Sequence, residues 1–126
     1  MKINSGKVIK RLNGKPVMTD QEPIVIDGYP MTVNGVPQLT AGREMTVGDV
    51  ISSILVTKKV DQFNTLKSFA LAQRFYMVEV TDIDNSDYSS LRDVVMVNDQ
   101  YIPLVLAQVL QTLIDAKEKL DHKPAK

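Results

Sequence analysis

The chain has 126 residues with 15 basic and 15 acidic side chains, so its formal net charge is zero, and it contains no cysteine. The lack of cysteine excludes disulfides and thiol chemistry, and the neutral charge disfavours a nucleic-acid partner, because binding phosphates usually requires a basic excess. The sequence shows neither the pattern of a secretory signal nor a stretch of about 18 apolar residues that could span a membrane. We therefore expect a protein without membrane contact that acts in the cytoplasm or in a particle assembled there.

Residues 1–43 are predicted to form a β-meander of short strands. Asn13-Gly14, Asp27-Gly28 and Asn34-Gly35 are typical of type I′ hairpin turns, in which both central residues need a positive φ. The predicted strands are Val8–Leu12, Pro16–Met18, Ile24–Ile26, Pro30–Val33 and Val36–Leu39. Because proline cannot donate to a ladder, the prolines of this region restrict the strands to short or edge segments.

Residues 44–119 are predicted to form three or four helices. Thr46 and Asp49 have the spacing of a capping box, which predicts a first helix that starts at Thr46 and ends near residues 57–59. The same spacing of Asp84 and Asp87 predicts the start of the third helix. Between them, the segment from Asp61 to Tyr76 is predicted to be a helix with apolar residues around most of its circumference.

The fourth helix, predicted over residues 101–119, carries the longest amphipathic pattern of the chain, and the rest is expected to fold around it. Pro103 occupies the first turn, where its missing N–H would have had no partner. The apolar stripe recurs with helical spacing and contains Ile102, Val105, Leu106, Val109, Leu110, Leu113 and Ile114. Leu110 is expected to lie at the centre of the core.

These patterns together predict an α+β fold in which an N-terminal β-meander of short strands packs against a C-terminal cluster of three to four helices. We expect one domain over residues 1–119, with a β-rich part (1–43) and a helical part (44–119). Residues 120–126 are polar, contain a proline and are expected to form a flexible tail.

The acidic segment Asp82–Asp93 superficially resembles a calcium-binding loop. It lacks the glycine that the sharp turn of such a loop requires, because Asp87 stands there, and it ends in Asp93 instead of a longer glutamate. An acidic helix start, stabilised by the helix dipole, explains the same residues. We predict no metal site in this segment.

No catalytic arrangement is recognisable. His122 is the only histidine and adjoins Lys123-Pro124, so the chain can build neither a Ser-His-Asp triad nor a histidine metal cluster. Gly6-Lys7 and Gly14-Lys15 lack the spacing and the following helix of a phosphate-binding loop. We therefore predict that the protein is not an enzyme and that it has no catalytic, cofactor-binding or metal-binding residues.

Two groups of residues are candidates for interaction. The basic residues Lys7, Lys10, Arg11 and Lys15 either bind an anionic partner or protect a strand edge from pairing. The aromatic residues Phe63, Phe69, Phe75 and Tyr76 belong to the second predicted helix, and its three phenylalanines fall on different sides. Because large exposed apolar patches usually mark interfaces, we predict a homodimer, or a stable complex with another protein, through the helical half and not the meander.

The order of segments REMTVGDVISSIL, LKSFALAQRFY, VEVTDIDNSDYSSLRDVV and IPLVLAQVLQTL resembles small uncharacterised proteins of tailed bacteriophages and prophages. The resemblance covers residues 44–114 and rests on capping and core positions, so it implies no catalytic residue. It implies a non-enzymatic accessory or assembly-associated protein that binds a phage or host protein. The alternative is a protein that binds a small anionic ligand through the basic strand region, or one that inhibits a host protein.

Overall fold

The computed structural model describes residues 1–57 and 59–121. Short antiparallel strands form the first part of the chain and helices form most of the second part. The predicted α+β class is therefore confirmed. The strands are β1 Lys2–Ile3, β2 Met18–Thr19, β3 Val25–Ile26, β4 Tyr29–Pro30, β5 Thr32–Val33, β6 Val36–Pro37, β7 Arg43–Glu44 and β8 Thr81–Asp82. The helices are α1 Val47–Thr57, α2 Thr65–Phe75, α3 Asn85–Met96 and α4 Pro103–Asp121.

Two of the three predicted hairpin turns are confirmed as type I′. Asp27 and Gly28 have φ values of 50° and 81° and join β3 to β4, and Asn34 and Gly35, with 53° and 78°, join β5 to β6. The prediction was wrong at Asn13-Gly14, where only the glycine has a positive φ, of 83°. There, Arg11 and Lys15 flank a longer loop, in which the Arg11 N–H donates to the Lys15 carbonyl at 2.8 Å.

The helix starts predicted at Thr46 and Asp84 are confirmed. The Asp49 N–H donates to Thr46 Oγ1 at 3.3 Å, and the Thr46 N–H donates back to Asp49 Oδ2 at 2.9 Å, which completes a capping box. The Asp87 N–H donates to Asp84 Oδ1 at 2.7 Å. Pro103 is the first residue of α4, as predicted.

Helix α2 is shorter than the predicted Asp61–Tyr76. Asn64 caps it, since its Oδ1 accepts the Lys67 N–H at 2.8 Å, so Phe63 precedes the helix instead of lying on it. Phe63 and Phe75 are buried, whereas Phe69 is 56% exposed. The three phenylalanines therefore do not form one apolar surface.

The buried face of α4 is narrower than the predicted stripe. It consists of Val105, Val109, Thr112, Leu113 and Ala116. The expectation that Leu110 is central was wrong, because Leu110 is only half-buried at the edge of the core. Ile102 and Ile114, also predicted to be buried, are exposed. The helix continues to Asp121, past the predicted boundary at 119, and the rest of the predicted tail, with His122, lies outside the described residues.

Strand β1 pairs with β8, a contact between distant parts of the sequence that the turn signals did not predict. It places Ile3 in the core, and Ile9 of the following segment is also fully buried. Ser5 and Thr81 share a buried hydrogen bond of 2.6 Å between their hydroxyls. The amino-terminal segment is thereby part of the helical core and not a separate layer.

Residues 20–42, called the arm below, contribute no buried side chain, although all of them are described in the structure. Each of its two hairpins is extended by one hydrogen bond, from Met31 N–H to Ile24 O and from Gln38 N–H to Met31 O, and a third bond, from Ile24 N–H to Gln38 O, joins the two hairpins, all at 2.8–2.9 Å. The apolar side chains that the arm exposes are Val25, Ile26, Tyr29, Met31, Val33, Val36 and Leu39. The arm is thus held together by its backbone and not by a core.

Candidate functional site

A cleft of about 620 Å³ lies where the β2–β7 pair meets helices α1 and α2. The strand pair contributes Thr19 and Arg43, and α1 contributes Asp49 and Val56. The opposite side consists of Phe69 and Gln73 of α2 together with Tyr76 and Tyr101. This cleft combines aromatic side chains with a cluster of charges, and we call it the aromatic cleft.

Arg43 is held by two carboxylates. Its Nη1 and Nη2 donate to the two oxygens of Asp49, both at 2.7 Å, and its Nε donates to Asp20 Oδ2 at 2.5 Å. A bidentate pair of this kind fixes the guanidinium plane. The side chain of Asp49 is 9% exposed and that of Asp20 is 59% exposed, so the inner pair is shielded and the outer pair faces solvent.

The electrostatics of this cluster favour its charged state. Burial by itself raises the pKa of Asp49, but hydrogen bonds from Arg43 and from the Thr46 backbone outweigh it and hold that pKa below its ordinary value. The same carboxylates raise the pKa of Arg43. Asp49 thus has two tasks, since it caps α1 and anchors Arg43.

Around this charged floor, the cleft has an apolar rim that residues 1–57 and 59–121 leave uncovered. Phe69 is 56% exposed, Tyr76 is 54% exposed and Val56 is 58% exposed. The Arg43 guanidinium carbon lies 6.0 Å from the centre of the Tyr76 ring, which is within the range of a cation–π contact. Tyrosine and phenylalanine at the edge of a concave surface provide contact area at a low entropic cost.

The structure separates the predicted aromatic candidates. Phe69 and Tyr76 line the aromatic cleft, whereas Phe63 and Phe75 are buried. Phe75 is fully buried, and its carbonyl oxygen faces Gly48 of α1. Only two of the four predicted aromatic residues are therefore accessible to a partner.

The predicted basic cluster is exposed but does not form one pocket. Lys7 borders a groove with Lys2 and Lys119 that also contains Asp115 and Glu118, so the charges there are mixed. Arg11 borders a different groove at the start of α4, whose other members are largely apolar. Lys10 and Lys15 line neither groove, and all four side chains are exposed.

The acidic segment is occupied by structural contacts. Asp84 caps α3, and Asp87 lies 3.0 Å from Lys67 Nζ, which ties the start of α3 to α2. Asp82 lies 2.9 Å from the amino group of Met1, and this hydrogen bond lowers the pKa of Asp82. Residues 85–96 form a continuous helix, which is incompatible with a calcium-binding loop of that register.

Sequence reasoning missed Arg43 and Asp20 as members of the site. The capping box explained Asp49 completely, so no signal remained to link it to Arg43. The link depends on the β2–β7 pairing, which brings Thr19 opposite Arg43 and places Asp20 beside the guanidinium. Only a prediction of that pairing could have found the cluster.

Within residues 1–57 and 59–121, no buried side-chain nitrogen or oxygen lacks a hydrogen-bond partner, and no group of His, Cys, Asp or Glu side chains has the arrangement of a metal site. Over the same residues, the helices are too short or too polar to cross a membrane.

In comparisons with known proteins, no family model, curated protein or solved structure matches this chain.

Proposed function

We propose that this chain is a non-enzymatic protein that acts by binding another protein, and that the aromatic cleft receives an apolar segment of that partner. The resemblance of residues 44–114 to small phage and prophage proteins supports an accessory or assembly-associated role, with a phage or host protein as partner. The observation that carries the proposal is the uncovered rim of Phe69, Tyr76 and Val56 around a charge cluster that is already satisfied.

The state of Arg43 favours a protein segment over a small anion. Its guanidinium already donates to Asp20 and Asp49 in three contacts, so an incoming anion would have to displace a carboxylate. The apolar rim has no such competitor, and burying it against a partner is favourable in proportion to its area. With two carboxylates and one guanidinium, the floor carries a net charge of about −1, which favours a partner segment flanked by Lys or Arg.

The alternative, a small anionic ligand bound by the basic strand region, has less support. The exposed side chains of Lys7 and Arg11 border different grooves, and the groove at Lys7 also contains acidic residues. An anion site normally concentrates donors on one ligand. Titration with inorganic phosphate, followed by NMR of the amides of residues 7–15, tests this alternative directly.

Selection of peptides from a random library against the immobilised chain tests the main proposal. We expect enrichment of peptides that carry apolar side chains next to Lys or Arg. Phe69→Ser is expected to weaken the selected peptides by about tenfold or more, because it removes a central contact of the rim. Tyr76→Ser is expected to weaken them in the same direction.

Leu66→Ser is the matched control. Leu66 lies on the same helix as Phe69, is 82% exposed and does not line the cleft, so the peptides should bind this variant like the unmodified chain. If no apolar peptide is enriched, or if Phe69→Ser and Leu66→Ser have equal effects, the cleft is not the binding site. Far-UV circular dichroism of each variant establishes that the fold is intact.

A further inference from the structure

Charge is segregated along the first third of this chain. Residues 1–19 contain five basic residues and no acidic one, whereas residues 20–42 contain Asp20, Glu22 and Asp27 and no Lys or Arg. The two segments therefore carry formal charges of about +5 and −3 at neutral pH. The negatively charged residues 20–42 are the arm, which contributes no buried side chain among the described residues.

The arm presents apolar side chains that the described part of the chain leaves in solvent. Tyr29 is 76% exposed, Val36 is 59% exposed and Val25 is 56% exposed. An isolated two-stranded hairpin is only marginally stable in water, and exposed apolar patches of this kind usually mark an interface. The two type I′ turns and the hydrogen bonds among residues 24, 31 and 38 give the arm a defined shape before any partner binds.

A complementary surface exists elsewhere on the same molecule. A groove of about 580 Å³, called the tip groove below, lies between the hairpin residues Arg11, Leu12 and Val17 and the start of α4 at Ile102, Leu104 and Val105. Leu12 is 95% exposed and Ile102 is 62% exposed. Arg11 lines this apolar groove, and Lys10 and Lys15 belong to the same hairpin, so the hairpin that forms one side of the groove carries positive charge.

We propose that the arm of one copy of this chain binds in the tip groove of a second copy. The apolar side chains of the arm then replace solvent over Leu12 and Ile102, while Glu22 and Asp27 approach the basic hairpin. The aromatic cleft is a poorer match for the arm, because its floor carries a negative charge like the arm itself. The contact places self-association at the arm and not at α2.

The arm and the tip groove are different surfaces, which determines the form of the assembly. A contact between unlike surfaces is heterologous, and it produces a closed ring or an open filament, unless two copies exchange arms reciprocally and close as a pair. Each of these assemblies uses the same arm and groove residues. The proposal concerns these surfaces and is independent of the aromatic cleft and of the segment that binds there.

Sedimentation velocity at micromolar concentration tests the contact. The unmodified chain is expected to associate, and its association is expected to weaken as salt is raised, because exposed charges are screened. A chain that stays monomeric up to millimolar concentration at low salt would overturn the proposal.

Two variants, each defective on one side, give a sharper test. Tyr29→Ser/Val36→Ser alters the arm and Leu12→Ser/Ile102→Ser alters the tip groove, and each alone is expected to be monomeric. A mixture of the two variants should form a one-to-one complex, because one supplies an intact groove and the other an intact arm. If the mixture stays monomeric, or if either variant alone still associates, the arm does not bind the groove.

A third variant changes the charge of the arm and keeps its apolar side chains, so that a loss of association cannot be attributed to unfolding of the arm. Glu22→Gln/Asp27→Asn removes two of the arm's three negative charges, and asparagine tolerates the positive φ of residue 27. It should weaken self-association about tenfold at low salt and much less at high salt. Leu66→Ser and Phe69→Ser should leave self-association unchanged. The proposal for the arm and the proposal for the aromatic cleft can therefore be contradicted independently of each other.

Discussion

Gln108 binds the backbone of Lys10 through both ends of its side-chain amide. The Lys10 N–H donates to Gln108 Oε1 at 2.8 Å, and Gln108 Nε2 donates to the Lys10 carbonyl at 2.7 Å. The Gln108 side chain of α4 thus makes the two backbone hydrogen bonds that a neighbouring strand would make with Lys10, and Pro16 forms a bridge with Lys10. This contact joins the basic hairpin to the helix whose first residues complete the tip groove.

We expect Gln108→Ala to lower the free energy of unfolding by about 1–2 kcal/mol, because two backbone hydrogen bonds are lost at an exposed site. Urea denaturation measures the change. Gln111→Ala is the matched control on the same helix, where the amide donates to the exposed Asp115 side chain one turn later, and its effect should stay within about 0.5 kcal/mol. Equal losses in the two variants would show that the clamp on Lys10 is not stabilising.

Leu113→Ala should destabilise the fold more than Leu110→Ala. Leu113 is fully buried, so its truncation leaves a cavity and should cost about 2–5 kcal/mol. Leu110 is half-buried, so the loss there should be about 1–2 kcal/mol. Chemical denaturation of both variants, compared at equal denaturant slopes, measures the two losses in the free energy of unfolding. A larger loss for Leu110→Ala than for Leu113→Ala would contradict the buried face of α4 described above.

Gly48→Ala should destabilise the fold although alanine is the better helix former. A Cβ at residue 48 would lie 2.3 Å from the Phe75 carbonyl oxygen and 3.2 Å from the Ser5 carbonyl oxygen, and backbone atoms cannot easily move away. We expect a loss of about 1–3 kcal/mol in thermal or urea unfolding. Thr57→Ala, at the exposed end of the same helix, should change stability by less than about 0.5 kcal/mol. A neutral or stabilising Gly48→Ala would mean that α1 and α2 can separate without cost.

The Asp49–Arg43 pair should make stability dependent on pH in the acidic range. Because the folded state lowers the pKa of Asp49 below the ordinary 3.8, the stabilisation is fully present above that value and is lost as the pH falls through the folded-state pKa. At neutral pH, Asp49→Asn should cost about 1–3 kcal/mol, since charge-assisted hydrogen bonds are removed. The raised pKa of Arg43 adds no dependence here, because arginine stays protonated.

Urea unfolding of the unmodified chain and of Asp49→Asn, repeated from neutral pH down to pH values below 3.8, measures this linkage. The difference between the two proteins should shrink steadily as Asp49 becomes protonated. A difference that stays constant over this range would show that the effect comes from the amide group introduced by the substitution and not from the loss of the negative charge.

The sequence by itself determined the local features of this fold. Thr46 with Asp49, and Asp84 with Asp87, specify helix starts because a side-chain oxygen must satisfy N–H groups that have no helical partner. Asp27-Gly28 and Asn34-Gly35 specify their turns because few other residue pairs accept a positive φ at both positions. These are interactions between residues a few positions apart, so the sequence pattern predicts them well. The pattern alone is not sufficient, because Asn13-Gly14 carries the same turn signal and lies in a longer loop.

Only the tertiary structure decided which side of each element is covered. Leu110 and Leu113 have the same side chain on the same helix, and only the position of the neighbouring elements makes one half-buried and the other fully buried. The pairing of β1 with β8 and the meeting of Asp20, Arg43 and Asp49 likewise depend on how distant segments pack. Burial and long-range pairing are properties of the whole packed chain, because a hydrophobic side chain is attracted by any apolar surface and not by a specific sequence.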